Sequence, residues 1–327
     1  MRLAWLWWLP VVAAAATVAA FDLGADAGDI PFFLDAARTL LSPDWSDTFA
    51  DPDVQAGPLQ LAALGVADAL AGAISVSSLA FLAFALEVGA AALLLVVCRR
   101  VIPHAGRGVL LGTGLVAVAV GLPHGAFVDG HPAQLVIPLL WFLGAREARE
   151  GRVVLAGAIV GVSAGLELWG VLGGVALFLA PRLRAVLAGF AVEAVVVAAF
   201  FAPFILVGEF RMFDYTWHVA EGTLASLALP AGDAFPWELR IAQGAVAAAV
   251  GTAFVYVLRP SRHAAWLALA AVLATRLALD PVLYSWYWLA LQTVVLVGAA
   301  ELASSATIRA VVRSRLWNGR TVPIEAP

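Results

Sequence analysis

Long apolar runs separated by short polar breaks make up most of the chain, and none of the runs alternates apolar with polar residues. A membrane β-barrel would show alternating strands of about ten residues, so the runs predict helices. Ten of them suit helices crossing ~30 Å of hydrocarbon. They lie over 4–21, 76–98, 108–122, 132–145, 153–166, 168–180, 185–207, 240–258, 264–279 and 283–302. The segment 58–74 is also apolar, but it is short and holds Asp68. As a span it would carry Arg99 and Arg100 to the opposite side. It reads instead as a helix lying in the interface or dipping part-way in. The expectation is an all-α, polytopic helical membrane protein of about ten transmembrane helices, one integral-membrane domain over 1–327. Interfacial helices belong to a first outer loop, 22–75, followed by a second outer loop, 208–239, and a cytoplasmic tail, 303–327.

Composition agrees with the pattern. The chain is 63% hydrophobic and 13% charged with a mean hydropathy of +0.93, against about 25% charged residues in soluble domains. Its 29 glycines permit close helix approach. The lone Cys98 excludes an intrachain disulfide and reads as a small hydrophobe at a helix end. The first run, with small residues at Val18-Ala19-Ala20, also suits a cleaved leader. An uncleaved first span is the preferred expectation, and either reading leaves the following loop outside.

Charge then sets the sidedness. All 19 basic residues are arginines. On the ten-span reading Arg2, Arg99, Arg100, Arg107, Arg146, Arg149, Arg152, Arg182, Arg184, Arg259, Arg262, Arg309, Arg313, Arg315 and Arg320 fall on the cytoplasmic side. Only Arg38, Arg211, Arg240 and Arg276 fall outside or at the outer edge. That bias is the positive-inside pattern, and it puts both termini in the cytoplasm. The hairpin 153–180 must turn back near Glu167 for the pattern to hold. The brief cytoplasmic loops carry no P-loop, dinucleotide fingerprint, GxSxG or metal-ligand spacing. Neither a cofactor nor a nucleic-acid partner is expected, and any chemistry is expected on the outer face of the cell membrane.

Candidate chemistry concentrates after the first span. Residues 22–60 hold eight aspartates and one arginine. Within Gly28-Asp29-Ile30-Pro31-Phe32-Phe33, Asp29 sits close to the membrane surface and Pro31 permits a helix start. A partly desolvated carboxylate there suits a general base acting on a hydroxyl, although loop aspartates also simply solvate a surface. Asp22, Asp26 and Asp35 are alternates for the same role. Gln55 in Val54-Gln55-Ala56-Gly57-Pro58 suits hydrogen bonding to a sugar hydroxyl, or is an incidental turn amide. The junction from His124 to Gln134 carries His131, which suits a phosphate, while two histidines and one aspartate there are weak as a metal set. Glu167 and Trp169 stand at the hairpin tip. Trp217, His218 and Trp237, with Arg211 and Arg240, suit either an aromatic membrane belt or a carbohydrate surface. Arg276, one turn before Asp280, either pairs with it or holds a lipid phosphate beside Tyr284. Glu87 and Glu193 lie within spans and receive no role.

Gly28-Asp29-Ile30 with Phe32-Phe33, Gln55-Ala56-Gly57-Pro58-Leu59, Gly130-His131-Pro132 and Leu279-Asp280-Pro281 together give a layout that resembles the GT-C superfamily of integral-membrane glycosyltransferases. It is most similar to the polyprenyl-phosphate-mannose-dependent mannosyltransferases, glycosyltransferase family 87 and its actinobacterial relatives. The resemblance implies a polyprenyl-phosphate sugar donor, a glycolipid or glycan acceptor among membrane lipids, inversion at the anomeric carbon, an aspartate base matching Asp29, and no metal. A transporter or a lipid-linked-sugar flippase is the competing expectation, and a non-catalytic assembly factor a third.

Overall fold

The computed structural model describes residues 6–317, with side chains described to Ser305, so residues 318–327 of the tail 303–327 lie outside the described residues. Arg2 and Arg320 fall outside them too, and the side chains of Arg309, Arg313 and Arg315 are not described. The described residues form twelve α-helices, 3-10 segments of three to twelve residues and one two-residue strand pair. Six helical segments are long and apolar enough to cross a membrane: Leu6–Gly24, Ser78–Val101, Arg107–Val128, Leu183–Val207, Trp237–Leu258 and Tyr287–Ser305.

The first of these contains α1 (Leu9–Phe21) and ends in a 3-10 turn, Asp22–Gly24. The expected interfacial helices follow as α2 (Ile30–Leu40) and α3 (Pro58–Ala73), each opened by a proline in its first turn. Helix α2 buries Ile30, Phe33, Leu34 and Ala37 against α3 and its surroundings, and its opposite side carries the exposed Asp35 and Arg38. Arg38 reaches Asp35 at 2.9 Å and Asp68 of α3 at 2.9 Å, tying the two helices together.

Helix α4 (Ser78–Val101) is followed by α5 (Arg107–Ala119), which stops where Gly121 turns left-handed at φ 76°. The junction between the expected spans 108–122 and 132–145 is therefore mostly a helix, α6 (Leu122–Val128). A left-handed glycine followed by Leu122-Pro123 restarts the helix instead of ending it. Helix α7 (Ala133–Arg149) is the most enclosed, with Trp141 fully buried. Its indole Nε1 donates to Ser163 Oγ at 3.1 Å and to the Gly170 carbonyl at 2.9 Å.

The expected hairpin reverses at Glu167, whose backbone is extended, but only its first arm, α8 (Val153–Leu166), is α-helical. The second, Leu168–Leu179, is a 3-10 helix of 12 residues. Small residues permit this: a Cβ on Gly170 would lie 2.4 Å from the Ser163 backbone, and one on Gly173 would lie 2.2 Å from the Trp141 ring. At about 2.0 Å rise per residue the arm extends roughly 24 Å, where an α-helix of that length would reach about 18 Å.

Helices α9 (Leu183–Val207), α10 (Trp237–Leu258), α11 (Ala264–Ala278) and α12 (Tyr287–Trp317) complete the bundle. The loop between α9 and α10 holds the strand pair β1 (Trp217–His218) and β2 (Ala234–Phe235), antiparallel with Trp217 opposite Phe235. That small sheet is the one departure from an all-α chain among the described residues. The main core joins α4, α5, α7, the 3-10 arm, α10, α11 and α12.

Arginines gather at one end of the bundle. Arg149 donates to the carbonyls of Arg262 at 2.9 Å and Ser261 at 3.0 Å, Arg146 meets Glu150 at 2.9 Å, and Arg259 bonds the Ala180 carbonyl. Helix α7 leads away from that end to His131 and Pro132, about 25 Å distant at ~1.5 Å per residue.

Candidate functional site

At the end of the bundle away from that arginine cluster lies a cavity of about 910 Å³. Its wall combines the start of α2, the loop before α3, the start of α7, the 3-10 arm, the upper half of α10 and the ends of α11 and α12.

Asp29 reaches the cavity because two backbones interlock. Gly28 and Gly130 are both left-handed, at φ 51° and 80°. A Cβ on Gly28 would lie 2.5 Å from the Asp129 carbonyl, and one on Gly130 would lie 2.4 Å from the Asp29 nitrogen. Only glycine fits both the conformation and the approach. The contact sets His131 beside Asp29, with Nε2 2.9 Å from Oδ2.

The other ring nitrogen of His131, Nδ1, lies 3.6 Å from Glu167 Oε1. Glu167 is buried and accepts from Gln134 Nε2 at 2.8 Å and from Trp169 Nε1 at 2.5 Å. The imidazole stacks on Trp286 at 4.6 Å and meets the edge of Phe33 at 5.6 Å. Burial works against charge on this imidazole, but the carboxylates of Asp29 and Glu167 outweigh it and hold the pKa at about 9. The hydrogen bond from His131 in turn lowers Asp29 below its usual 3.8, against the smaller effect of partial burial. At neutral pH this is a carboxylate–imidazolium pair with the half-exposed Asp29 facing the cavity.

Two arginines form the opposite side. Arg240 pairs with the buried Asp280 at 2.9 Å, donates to Gln243 Oε1 at 3.0 Å and Tyr287 OH at 3.2 Å, and lies 4.4 Å over the Trp217 ring. Of the two roles open to Arg276, pairing with Asp280 is taken by Arg240, which Asp280 serves instead. Arg276 is held between the rings of Trp169 and Tyr287 at 4.7 and 4.8 Å. Its Nη1 is buried without a hydrogen-bond partner. A desolvated guanidinium with an unpartnered N–H suits an oxyanion. Below the arginines the cavity turns apolar, between Val175 and Phe178 on the 3-10 arm, Phe190 on α9, and Ile241, Ala245 and Ala248 on α10.

Of the residues singled out from the sequence, Asp29, Gln55, His131, Glu167, Trp169, Trp217, Trp237, Arg240, Arg276 and Tyr284 line this one cavity. The others do not. Asp26 is exposed outside it, Asp35 pairs with Arg38, and Asp22 pairs with His124 at 2.6 Å. Arg211 is exposed and engaged by Asp214 at 2.9 Å, and His218 faces away on β1. Two assignments change in kind. Both nitrogens of His131 face carboxylates, so it positions Asp29 and is not free for a phosphate. Gln55 Nε2 donates to the carbonyls of Pro52 and Met212, so its amide braces the second loop.

Asp53, Gln134, Gln243, Tyr215 and Tyr287 also line the cavity without having been assigned a role. Asp53 stands two residues before Gln55 and Gln134 two after Pro132, so proximity to the quoted motifs was the available signal. Gln243, one turn into α10, carried none. Glu193 is buried against Gly174 at the apolar end, with Oε2 unpartnered.

Comparison with protein families, characterised proteins and solved structures gives no significant match.

Proposed function

We propose that the chain is a membrane glycosyltransferase, with about ten transmembrane helices, that moves a sugar from a polyprenyl-phosphate donor to a glycolipid or glycan acceptor at the outer face of the cell membrane. One observation carries the reading: a single cavity joins a cavity-facing carboxylate, Asp29, to a buried guanidinium with a free donor, Arg276, across a floor of aromatic rings. Those are the parts that transfer from a glycosyl phosphate requires: a base, an anion receptor, and flat faces for a sugar.

In the proposed step Asp29 takes the proton of the acceptor hydroxyl, whose oxygen attacks the anomeric carbon from the face opposite the phosphate. The new C–O bond forms as the bond to the phosphate oxygen breaks, and the configuration inverts. Arg276, assisted by Arg240, takes up the charge growing on the departing polyprenyl phosphate. Trp169, Trp217, Trp237 and Tyr284 offer ring faces to the sugar. The apolar end between the 3-10 arm and α10 accommodates the first isoprene units, and α10 is largely exposed beyond it, where lipid would lie.

The test is sugar transfer from a radiolabelled polyprenyl-phosphate donor by the purified protein in lipid. Asp29→Asn is expected to reduce transfer by roughly 10²- to 10⁴-fold while donor binding persists. Unaltered transfer by this variant would remove the mechanism. The transport reading predicts instead that lipid-linked sugar crosses vesicles without any change in its covalent state, and Asp29→Asn then leaves that movement intact.

A further inference from the structure

A second group of titratable side chains lies away from the cavity, at the junction of α1, α4 and α6. Asp22 follows the last residue of α1, Glu87 lies on α4, and His124 opens α6 just after the left-handed Gly121. Their ligating atoms all lie within 4.8 Å of one another, and His124 Nδ1 is 2.6 Å from Asp22 Oδ2. Glu87 is 0% exposed, and neither of its carboxylate oxygens has a hydrogen-bond partner. No arginine forms an ion pair with Asp22 or Glu87 among the described residues. A buried Glu87 carboxylate with no donor of its own, set beside a second carboxylate, is costly in a low-dielectric setting, and a cation relieves that cost directly.

We propose that Asp22, Glu87 and His124 bind one divalent transition-metal ion of the zinc type, which clips the end of α1 to α4 and α6. The donor set decides the class of ion. Calcium and magnesium take oxygen ligands alone, and copper(I) prefers thiolates, whereas two carboxylates and an imidazole suit Zn²⁺. Modest side-chain rotations bring three such atoms to about 2.0–2.2 Å from one centre, leaving a fourth tetrahedral position for water. The His124 side chain is 42% exposed, so the ion has a path from solvent. Net charge supports the assignment, since two carboxylates and a neutral imidazole balance a dication. None of this depends on sugar transfer.

The experiment uses the full chain in lipid nanodiscs, stripped with a chelator and then titrated with Zn²⁺ or Co²⁺ alone. One equivalent of zinc per chain is expected to survive desalting and to raise the thermal midpoint. Cobalt is expected to give the intense visible absorption of a tetrahedral site. Glu87→Gln and His124→Ala are expected to weaken binding roughly tenfold or more, while Asp29→Asn, in the separate cavity, binds as the parent does. Should Glu87→Gln fail to fold, His124→Ala at the exposed rim decides the matter. The proposal is overturned if the parent retains no zinc, if zinc leaves the midpoint unchanged, or if binding persists undiminished in His124→Ala.

Discussion

Asp29 and His131 share a single hydrogen bond of 2.9 Å, and each controls the other's protonation. In the proposed transfer Asp29 acts as a carboxylate, and its lowered pKa keeps it ionised in mild acid, so the acid limb of transfer should lie below the usual carboxylate range. His131 rises from 6.5 to about 9 on folding. Its contribution to stability is therefore fully present below pH 6.5 and is lost as the pH climbs to about 9. Activity and thermal midpoint should both fall across that window. In His131→Asn the alkaline limb should vanish and the acid limb should move up, which a pH–rate profile of both proteins will show. Arg276→Lys makes a separate prediction. A lysine cannot present a planar fork between Trp169 and Tyr287, so donor KM should rise about tenfold or more, with acceptor KM little changed. An unchanged donor KM would assign Arg276 to packing alone. The proposed base was legible in the sequence because Gly-Asp-Ile-Pro places a carboxylate at a helix start beside an expected membrane span. Its partner was not, because 102 residues separate His131 from Asp29.

Backbone contacts between elements position these side chains. The turn before α2 and the turn before α7 touch through Gly28 and Gly130, with no space for a side chain at either. Gly130→Ala should cost at least about 1–2 kcal/mol for the left-handed backbone alone, beyond the collision with the Asp29 nitrogen. A lower thermal midpoint and a loss of transfer out of proportion to it are expected, because Asp29 must shift. The 3-10 arm follows the same logic. Gly170 and Gly173 let it lie against α8 and Trp141, and this carries Trp169 and Glu167 to the cavity wall. Apolar composition marked 168–180 as a helix, but the type of helix depended on neighbours that no local pattern reveals. The junction between 122 and 132 follows a similar rule, since the left-handed Gly121 restarts a helix whose inner face is covered by other elements.

At the scale of the whole molecule, the arginine cluster and the cavity occupy opposite ends, and which of those ends faces the cytoplasm is a question for labelling. Membrane-impermeant thiol labelling tests the orientation. Cys98 is buried, so the background is low. Arg211→Cys, in the second loop, should label in intact cells, whereas the exposed Arg107→Cys should label only after permeabilisation. The reverse pattern would move the cavity to the cytoplasmic side.

What the sequence by itself determined was the class of protein and the places to look. Apolar runs too long and too poor in charge for water predict membrane helices, and Gly, Pro and Asp at their ends mark loops where chemistry can sit. These are local properties, set by hydrocarbon thickness and by backbone freedom within a few residues. Tertiary structure alone decided which carboxylate meets which cation. Asp280 neutralises Arg240 and so frees Arg276, and Asp22 leaves the catalytic candidates to join Glu87 and His124. Such pairings join residues tens to hundreds of positions apart, and they follow from which helix faces pack together. In a chain this apolar, almost any face can be buried, so hydrophobic pattern carries little information about the partner each helix takes.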